Sequence, residues 1–161
     1  MVMFLYGNRV TIWCTLLWLA FVPSVIEGSI RHLFHWYNIC LVMLGGGIGA
    51  VSRYAVTMIL GSRLGTVFPW GTCVVNVLGC FLIGAIMNIA IGNQRMLPES
   101  LRMLLVVGFL GGFTTFSSFG METMNLLTGR ELFLALANAG LNLGLGLMAV
   151  WCGNMLTKLI L

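Results

Sequence analysis

Four apolar stretches, each long enough to cross a bilayer, constrain this chain more than any other feature of its sequence. A helix of about 20 apolar residues spans the hydrocarbon core of a membrane. Only 7% of the 161 residues are charged and 60% are hydrophobic, which leaves too few polar groups to cover a soluble domain. The sequence predicts an all-α integral membrane protein with four transmembrane helices per subunit, in the cell (inner or plasma) membrane. The predicted spans are residues 36–60, 70–91, 101–127 and 132–156.

Residues 1–35 have a different pattern from the rest of the chain. Arg9 precedes an apolar run over residues 10–26, and Glu27 follows it, as in a secretory signal sequence. A second reading is a membrane span, because the run is close to the shortest length that can cross a membrane. A third reading is a start site assigned too far upstream. We expect an N-terminal extension without an assigned function, followed by a functional domain over residues 36–161.

The third apolar stretch contains a run that differs from a plain lipid-facing helix. Residues 108–120 combine four glycines, four hydroxyl side chains and four phenylalanines. Because Gly111 and Gly112 lack a Cβ, they can leave helical geometry and free backbone carbonyls at little steric cost. Inside a membrane such carbonyls need protein, an ion or water. The run therefore predicts a third helix broken at an internal site; the alternative is a small-residue seam for tight helix packing.

Neutral polar side chains recur at helical spacing in the second and fourth stretches. Thr72 and Asn76 are four residues apart, as are Asn138 and Asn142, so each pair lies on one helix face. An asparagine amide has two N–H donors, so Asn76 could hold an anion without a fixed charge. The alternative for Asn76 is an interhelical hydrogen bond that only holds helices together.

Two charged residues fall within the predicted spans. Arg53 is costly to leave in lipid, so it either anchors the first helix at an interface or contacts protein or ligand. Glu122 is the only acid expected at membrane depth. Intramembrane acids are functional candidates, although an acid near a helix end can simply be hydrated.

The side chains that could line a transport path are neutral. A cation path normally shows acidic rings, and a proton relay shows a chain of acids or histidines. Neutral N–H and O–H donors suit a small anion, as does the positive edge of a phenylalanine ring. The residues thus predict a small-anion path without identifying the ion. The pore candidates are Asn76, Thr115, Ser117, Ser118, Asn138, Asn142, Phe116 and Phe119.

A single copy of so short a chain has little room for a pore, so its polar helix faces need a partner. The basic residues expected on the two sides of the membrane nearly balance, and it is their asymmetry that orients membrane proteins. The sequence therefore predicts copies that insert both ways and pair antiparallel. One side would carry Arg31, Arg95, Arg102 and Lys158, and the other Arg63, Arg130 and, if it reaches the interface, Arg53.

Several function classes fit the sequence poorly. The basic residues are scattered although the formal net charge is +4, which argues against a nucleic-acid partner. No nucleophile–base pair or metal-ligand set indicates an enzyme. A small dual-topology drug/proton antiporter would need a carboxylate in the first span, and residues 36–60 contain none. A non-transporting membrane assembly subunit remains an alternative.

Three motifs lie in order along the chain: GGGIGAVSRY at 45–54, PWGTCVVNVLG at 69–79 and GFLGGFTTFSSF at 108–119. Together they closely resemble the signature motifs of the Fluc family of fluoride-specific ion channels, the CrcB-type proteins. The resemblance covers about residues 36–156, which leaves residues 1–35 outside it. It implies an antiparallel dual-topology homodimer with two pores, through which fluoride flows passively out of the cell and its cytoplasmic concentration falls.

The resemblance also implies roles for individual residues. It assigns the pore amide to Asn76, the paired ring edges to Phe116 and Phe119, and a hydroxyl track to Ser117 and Ser118. Thr72 would lie near the pore, one turn before Asn76.

A structural sodium ion is implied at the dimer centre. The resemblance assigns the backbone carbonyls of Gly111 and Thr114 as its ligands, two from each subunit. Ser118 and Gly146 depart from the residues common in the family at their positions. The roles of four further polar residues stay open at this point: Arg53, Glu122, Asn138 and Asn142.

Overall fold

The computed structural model describes residues 36–92 and 97–160, and the regular structure in these ranges is entirely helical. Four helical spans there are long and apolar enough to cross a membrane. This confirms the predicted all-α, multi-pass membrane architecture. The N-terminal extension, residues 1–35, lies outside the described residues. The spans are Trp36–Leu64, Trp70–Met87, Glu99–Thr128 and Leu132–Ile160.

The first span is one α-helix, and the second belongs to an α-helix that continues to Gly92. The third and fourth spans are composite. The third begins with Glu99–Arg102, passes through a π-helical segment, Met103–Leu110, and continues as Gly111–Phe113 and Phe116–Thr128. The fourth consists of Leu132–Gly140, the π-helical Leu141–Leu145 and Gly146–Ile160. π-Helical turns often occur near functional sites, and both lie in the spans that carry the predicted pore residues.

The break in the third span lies at two threonines. Thr114 (φ −86°, ψ 159°) and Thr115 (φ −152°, ψ 118°) are extended, and helix resumes at Phe116. The predicted broken helix is confirmed, but its expected position at the glycines is wrong, because Gly111 is still helical (φ −61°, ψ −37°). β-Branched threonine tolerates extended backbone well, and Thr115 caps the following helix through its side chain.

Glycines of the first and third spans allow these two helices to approach each other closely. A Cβ added to Gly45 would lie 2.9 Å from the Phe109 nitrogen, and one on Gly112 would lie 3.0 Å from the Gly46 Cα. Only residues without a Cβ permit such backbone contact between membrane helices. The two readings of residues 108–120, a break and a packing seam, therefore both apply, at different residues.

A second glycine seam joins the second and fourth spans. A Cβ on Gly84 would lie 2.9 Å from the Val150 Cα, and one on Gly153 would lie 2.9 Å from the Ala85 nitrogen. These contacts fix how far each span can slide or rotate against its neighbour. The seam thereby sets which polar side chains of the second and fourth spans face each other.

The outer faces of the spans carry large apolar side chains. Such a surface is expected of a protein solvated by lipid, where exposed apolar groups carry no penalty. The most exposed examples in the four spans include Met43, Val51, Met121, Phe133, Leu147 and Trp151.

Candidate functional site

A groove of about 440 Å³ lies beside the break, between the second, third and fourth spans. Its walls are mostly apolar, and none of the described residues that line it is charged. Its side-chain amides belong to Asn76 and Asn142, and the extended Thr114 and Thr115 form part of its wall. The groove therefore brings together neutral hydrogen-bonding groups from three helices at membrane depth.

Asn76 binds the break directly. Its Nδ2 donates to the Thr115 carbonyl (3.1 Å) and to Asn142 Oδ1 (2.9 Å). The Thr115 N–H donates to Asn76 Oδ1 (2.9 Å). The side chain of Asn76 thus replaces the helical acceptor that the Thr115 N–H gives up, as a buried backbone group requires, and adds a second donor to the Thr115 carbonyl. Both N–H donors of Asn76 are engaged in this arrangement.

The two phenylalanines predicted to pair do lie side by side. The ring centroids of Phe116 and Phe119 are 5.4 Å apart, with an interplanar angle of 54°. Both rings line the groove. Phe119 is 9% exposed, whereas Phe116 is 79% exposed. Phe119 therefore belongs to the packed interior of the subunit, and Phe116 projects from its surface.

The hydroxyl groups cluster at the start of the helix Phe116–Thr128. Thr115 Oγ1 accepts from the Ser118 N–H (3.2 Å), donates to Ser118 Oγ (3.1 Å) and lies 3.2 Å from Ser117 Oγ. Ser117 is exposed and Ser118 half-buried, and neither lines the groove. The N-terminus of a helix carries partial positive charge and favours an anion. These hydroxyls therefore stand beside the groove at an electropositive helix end.

Thr72 and Glu122 form a separate pair. Thr72 Oγ1 donates to Glu122 Oε1 (2.6 Å), and the pair borders a second cavity of about 470 Å³ that also touches Thr57 and Trp70. Within the described residues, Glu122 Oε2 is buried without a hydrogen-bond partner. Thr72 is thus four residues from Asn76 in the same helix but faces a different cavity.

A chain of side-chain amides extends from Asn76 into the fourth span. Asn142 Nδ2 donates to Asn138 Oδ1 (2.9 Å) and to the Asn138 carbonyl (2.9 Å). Asn138 is 0% exposed, and its Nδ2 donates to Thr123 Oγ1 (2.9 Å). Thr123 Oγ1 donates in turn to the Phe119 carbonyl (2.7 Å). Every link has the same polarity, with donors directed away from Asn76.

Two backbone carbonyls at the break have lost their helical donors. In an unbroken helix the N–H groups of Thr115 and Ser118 would reach the carbonyls of Gly111 and Thr114. These N–H groups donate instead to Asn76 Oδ1 and Thr115 Oγ1. Freed carbonyl oxygens are the ligands that a hard cation prefers. The donor set therefore fits the sodium ion that the family resemblance implies.

Arg53 contacts one of these carbonyls. Its Nη1 lies 3.4 Å from the Thr114 oxygen, and the side chain is half-buried. This is long for a charge-assisted hydrogen bond. A carbonyl oxygen has two lone pairs, so the contact leaves the Thr114 oxygen able to accept a second partner.

Comparison with known proteins assigns the chain to a family. The family model described as CrcB-like protein, Camphor Resistance (CrcB), matches residues 40–154. The chain belongs to the CrcB family. This match includes all three of the motifs at 45–54, 69–79 and 108–119, and it covers the residues that form the groove and the amide chain.

The chain is also similar to proteins that carry the name "Fluoride-specific ion channel FluC". The protein of Solibacter usitatus (strain Ellin6076) is 45% identical over 119 residues, which are 73% of this chain and 96% of the relative. That of Geobacter sulfurreducens is 42% identical over 121 residues, or 75% and 97% of the two chains. That of Hahella chejuensis is 42% identical over 133 residues, or 83% and 99%.

Two residues in this CrcB-family site have contacts that the sequence analysis missed. Thr115 is the N-cap of the helix Phe116–Thr128, and a signal for it was present, because threonine is a preferred N-cap residue. Thr123 ends the amide chain. The sequence around Thr123 offers no comparable signal, because the contact between Thr123 and Asn138 depends on how the third and fourth spans are rotated against each other.

Proposed function

We propose that this protein is a fluoride-selective passive ion channel that lets fluoride leave the cell and so lowers its cytoplasmic concentration. The observation that carries the proposal is the groove at the break, which Asn76, Phe116 and Phe119 line and to which residues 36–92 and 97–160 contribute no charged side chain. The names of the relatives supply the ion. We extend them to this chain because two of its three motifs, at 69–79 and 108–119, contribute residues to the groove wall.

The proposed pore residues have chemistry that suits a small anion. Asn76 would supply the amide N–H that donates to Asn142 Oδ1 in the structure, once the anion replaces that acceptor. Ser117 and Ser118 supply hydroxyls at a positive helix end, and Phe116 and Phe119 supply ring edges. The groove wall is neutral, so an anion would be held weakly enough to leave again, as conduction requires. A narrow lining of such donors would disfavour chloride by size.

We propose that the working unit is an antiparallel dual-topology homodimer. One face of the groove is open in a single chain, and Phe116 projects from it with 79% of its surface exposed. Polar groups on an open face would be left without partners in lipid. A second copy would cover the face, and the near balance of positive residues on the two sides permits opposite insertion.

A structural sodium ion fits the same assembly. The carbonyls of Gly111 and Thr114 would hold it, two from each subunit, and its charge would offset the dipoles of the freed oxygens. Its role would be to join the two breaks, and it would take no part in moving fluoride.

The first test is fluoride release from liposomes that contain the purified protein, read with a fluoride-selective electrode and repeated with chloride. Fast fluoride release with negligible chloride release is expected. No release from a folded dimer would contradict the proposal and favour a non-transporting assembly subunit.

Asn76→Asp tests the site within the same assay. A carboxylate keeps the acceptor for the Thr115 N–H but replaces both donors by a negative charge, so fluoride release should be abolished. Asn125→Asp, an exposed position on the third span, is the matched control and should conduct normally. Normal conduction by Asn76→Asp would show that Asn76 is not the pore amide.

A further inference from the structure

The first span brings a positive charge to the break in the third span. Gly45, Gly49 and Arg53 recur every fourth residue, so they share one face of the helix. The two glycines on this face pack against backbone atoms of the third span. One turn further along, Arg53 Nη1 lies 3.4 Å from the Thr114 oxygen. Because a guanidinium stays protonated in proteins, a fixed positive charge stands beside the break.

The partner of this charge is a backbone oxygen. Thr114 follows the helical segment Gly111–Phe113, and the carbonyl end of a helix carries a partial negative charge. Glu122, the acid at membrane depth in the same span, accepts its hydrogen bond from Thr72. A helix dipole offsets only part of a full charge, so Arg53 maintains a positive field at the Thr114 oxygen.

The Thr114 oxygen is also one of the carbonyls proposed to hold sodium. It has two lone pairs, so it can accept from Arg53 and bind a cation at the same time. Oxygen ligands lie about 2.3–2.6 Å from a hard cation such as Ca²⁺. With the 3.4 Å contact to Arg53, any cation on this oxygen is within about 6 Å of the guanidinium nitrogen. That distance is shorter than the Debye length of about 8 Å at physiological ionic strength, so salt leaves much of the repulsion intact.

Repulsion between Arg53 and a bound cation increases with the charge of the cation. Coulomb energy is proportional to the product of the two charges, so a divalent cation is repelled twice as strongly as a monovalent one at the same place. The carbonyl ligands have no formal charge with which to offset this difference. In the proposed homodimer each subunit contributes one such arginine, which doubles the repulsion.

We propose that Arg53 sets the charge selectivity of the cation site at the break, so that the site admits sodium and excludes calcium. Arg53 does not bind the cation. It acts through its positive field at the Thr114 oxygen and is therefore a specificity-determining residue. The inference rests on the proposed function, because the sodium ion belongs to the homodimer proposed there.

The test compares variants of Arg53 that remove or keep the charge. Arg53→Gln keeps an N–H donor for the Thr114 oxygen without the charge, and Arg53→Lys keeps both. The Tm of the purified dimer is followed as sodium chloride replaces choline chloride at constant ionic strength, and the sodium dissociation constant is fitted from the stabilisation. It should be about tenfold or more lower for Arg53→Gln than for the wild type. Arg53→Lys should stay near the wild-type value.

Calcium binding provides the second measurement. Radioactive calcium retained by the folded dimer is counted for the same three proteins, with and without excess sodium. The wild type and Arg53→Lys should retain none, whereas Arg53→Gln should retain calcium that sodium displaces. Tighter sodium binding by Arg53→Gln without any calcium binding would overturn the proposal, because calcium would then be excluded by something other than the charge of Arg53.

Arg63→Gln is the matched control on the same helix. Arg63 is exposed near the end of the first span. It is about 15 Å along the helix from Arg53, which is more than a Debye length. Its variant should bind sodium like the wild type and retain no calcium. If Arg53→Gln does not give a folded dimer, Arg53→Met keeps an apolar stem without the charge and carries the same expectation.

The two proposals fail in different ways. No fluoride release from wild-type liposomes would contradict the channel, and the sodium titration would still decide the role of Arg53. A wild type that conducts fluoride but shows no sodium dependence of its Tm would overturn both the sodium site and the role of Arg53. Equal sodium dissociation constants for the wild type and Arg53→Gln would leave the channel and the sodium site standing, and the selectivity proposal would be wrong.

Discussion

Replacing Gly49 by alanine tests how closely the first and third spans pack. A Cβ at this position would overlap the Phe109 carbonyl oxygen and lie 2.9 Å from the Phe113 nitrogen. Both neighbours are backbone atoms, so no side chain can turn away to make room. Ordinary contact begins at 3.4 Å, so the two spans must separate by at least about 0.5 Å. The displaced residue Phe113 directly precedes the break.

The change in the free energy of unfolding for Gly49→Ala follows from two opposing contributions. Overpacking of a tight contact costs about 1–3 kcal/mol, whereas glycine to alanine in a helix gains about 1 kcal/mol of helix propensity. Gly47, two residues away in the same helix, has nothing within 4 Å of its added Cβ. Gly47→Ala therefore gains the propensity without the clash. The difference between the two variants isolates the clash and should be about 2 kcal/mol.

Thermal unfolding of the purified protein in detergent is the assay. A difference of about 2 kcal/mol corresponds to about 4–8 °C in Tm for a chain of this size, with Gly49→Ala the less stable variant. Fluoride release from Gly49→Ala should also fall, because the seam positions the residue before the break. Equal Tm values for the two variants would refute the close approach of the two spans.

Phe116 and Phe119 should differ in what they stabilise. Phe119→Ala should lower subunit stability by about 3–5 kcal/mol, the usual cost for a buried phenylalanine. Phe116→Ala should instead raise the dimer dissociation constant by about tenfold or more, because its ring would be buried only by the partner. Unchanged association on dilution in detergent would contradict a dimer contact at Phe116. Arg53→Leu should lower stability by about 1–3 kcal/mol because the Thr114 carbonyl loses a donor, with Arg53→Gln intermediate; thermal unfolding checks this, and a fully stable Arg53→Leu would make the contact irrelevant.

Much of the fold could be predicted from the sequence because membrane helices leave a strong local signal. Apolar length alone predicts the four spans, since every backbone group in the bilayer must be satisfied within its own helix. The unusual composition of residues 108–120 predicts an interruption in the third span. Spacing of four residues predicts that Asn138 and Asn142 lie on one face of the fourth span, as the hydrogen bond between them shows.

The position of the break depended on a partner from another span. Glycine composition favoured Gly111 and Gly112, but both residues stay helical, and Gly112 serves close packing with the first span. The chain extends at Thr114 and Thr115, where Asn76 supplies both a donor and an acceptor to the backbone of Thr115. Local flexibility made a break possible, and the amide of a distant residue fixed its place.

The sequence by itself therefore determined the class of protein, the number of spans and the residue types available for a neutral path. Only the tertiary structure decided which of those residues meet. Asn76 pairs with Asn142, 66 residues away, whereas Thr72, one turn earlier in the same helix, pairs with Glu122 and borders another cavity. The reason is physical: helical periodicity sets which side chains share a face. The rotation and height of each face against its neighbours come from backbone contacts at glycines such as Gly84 and Gly153.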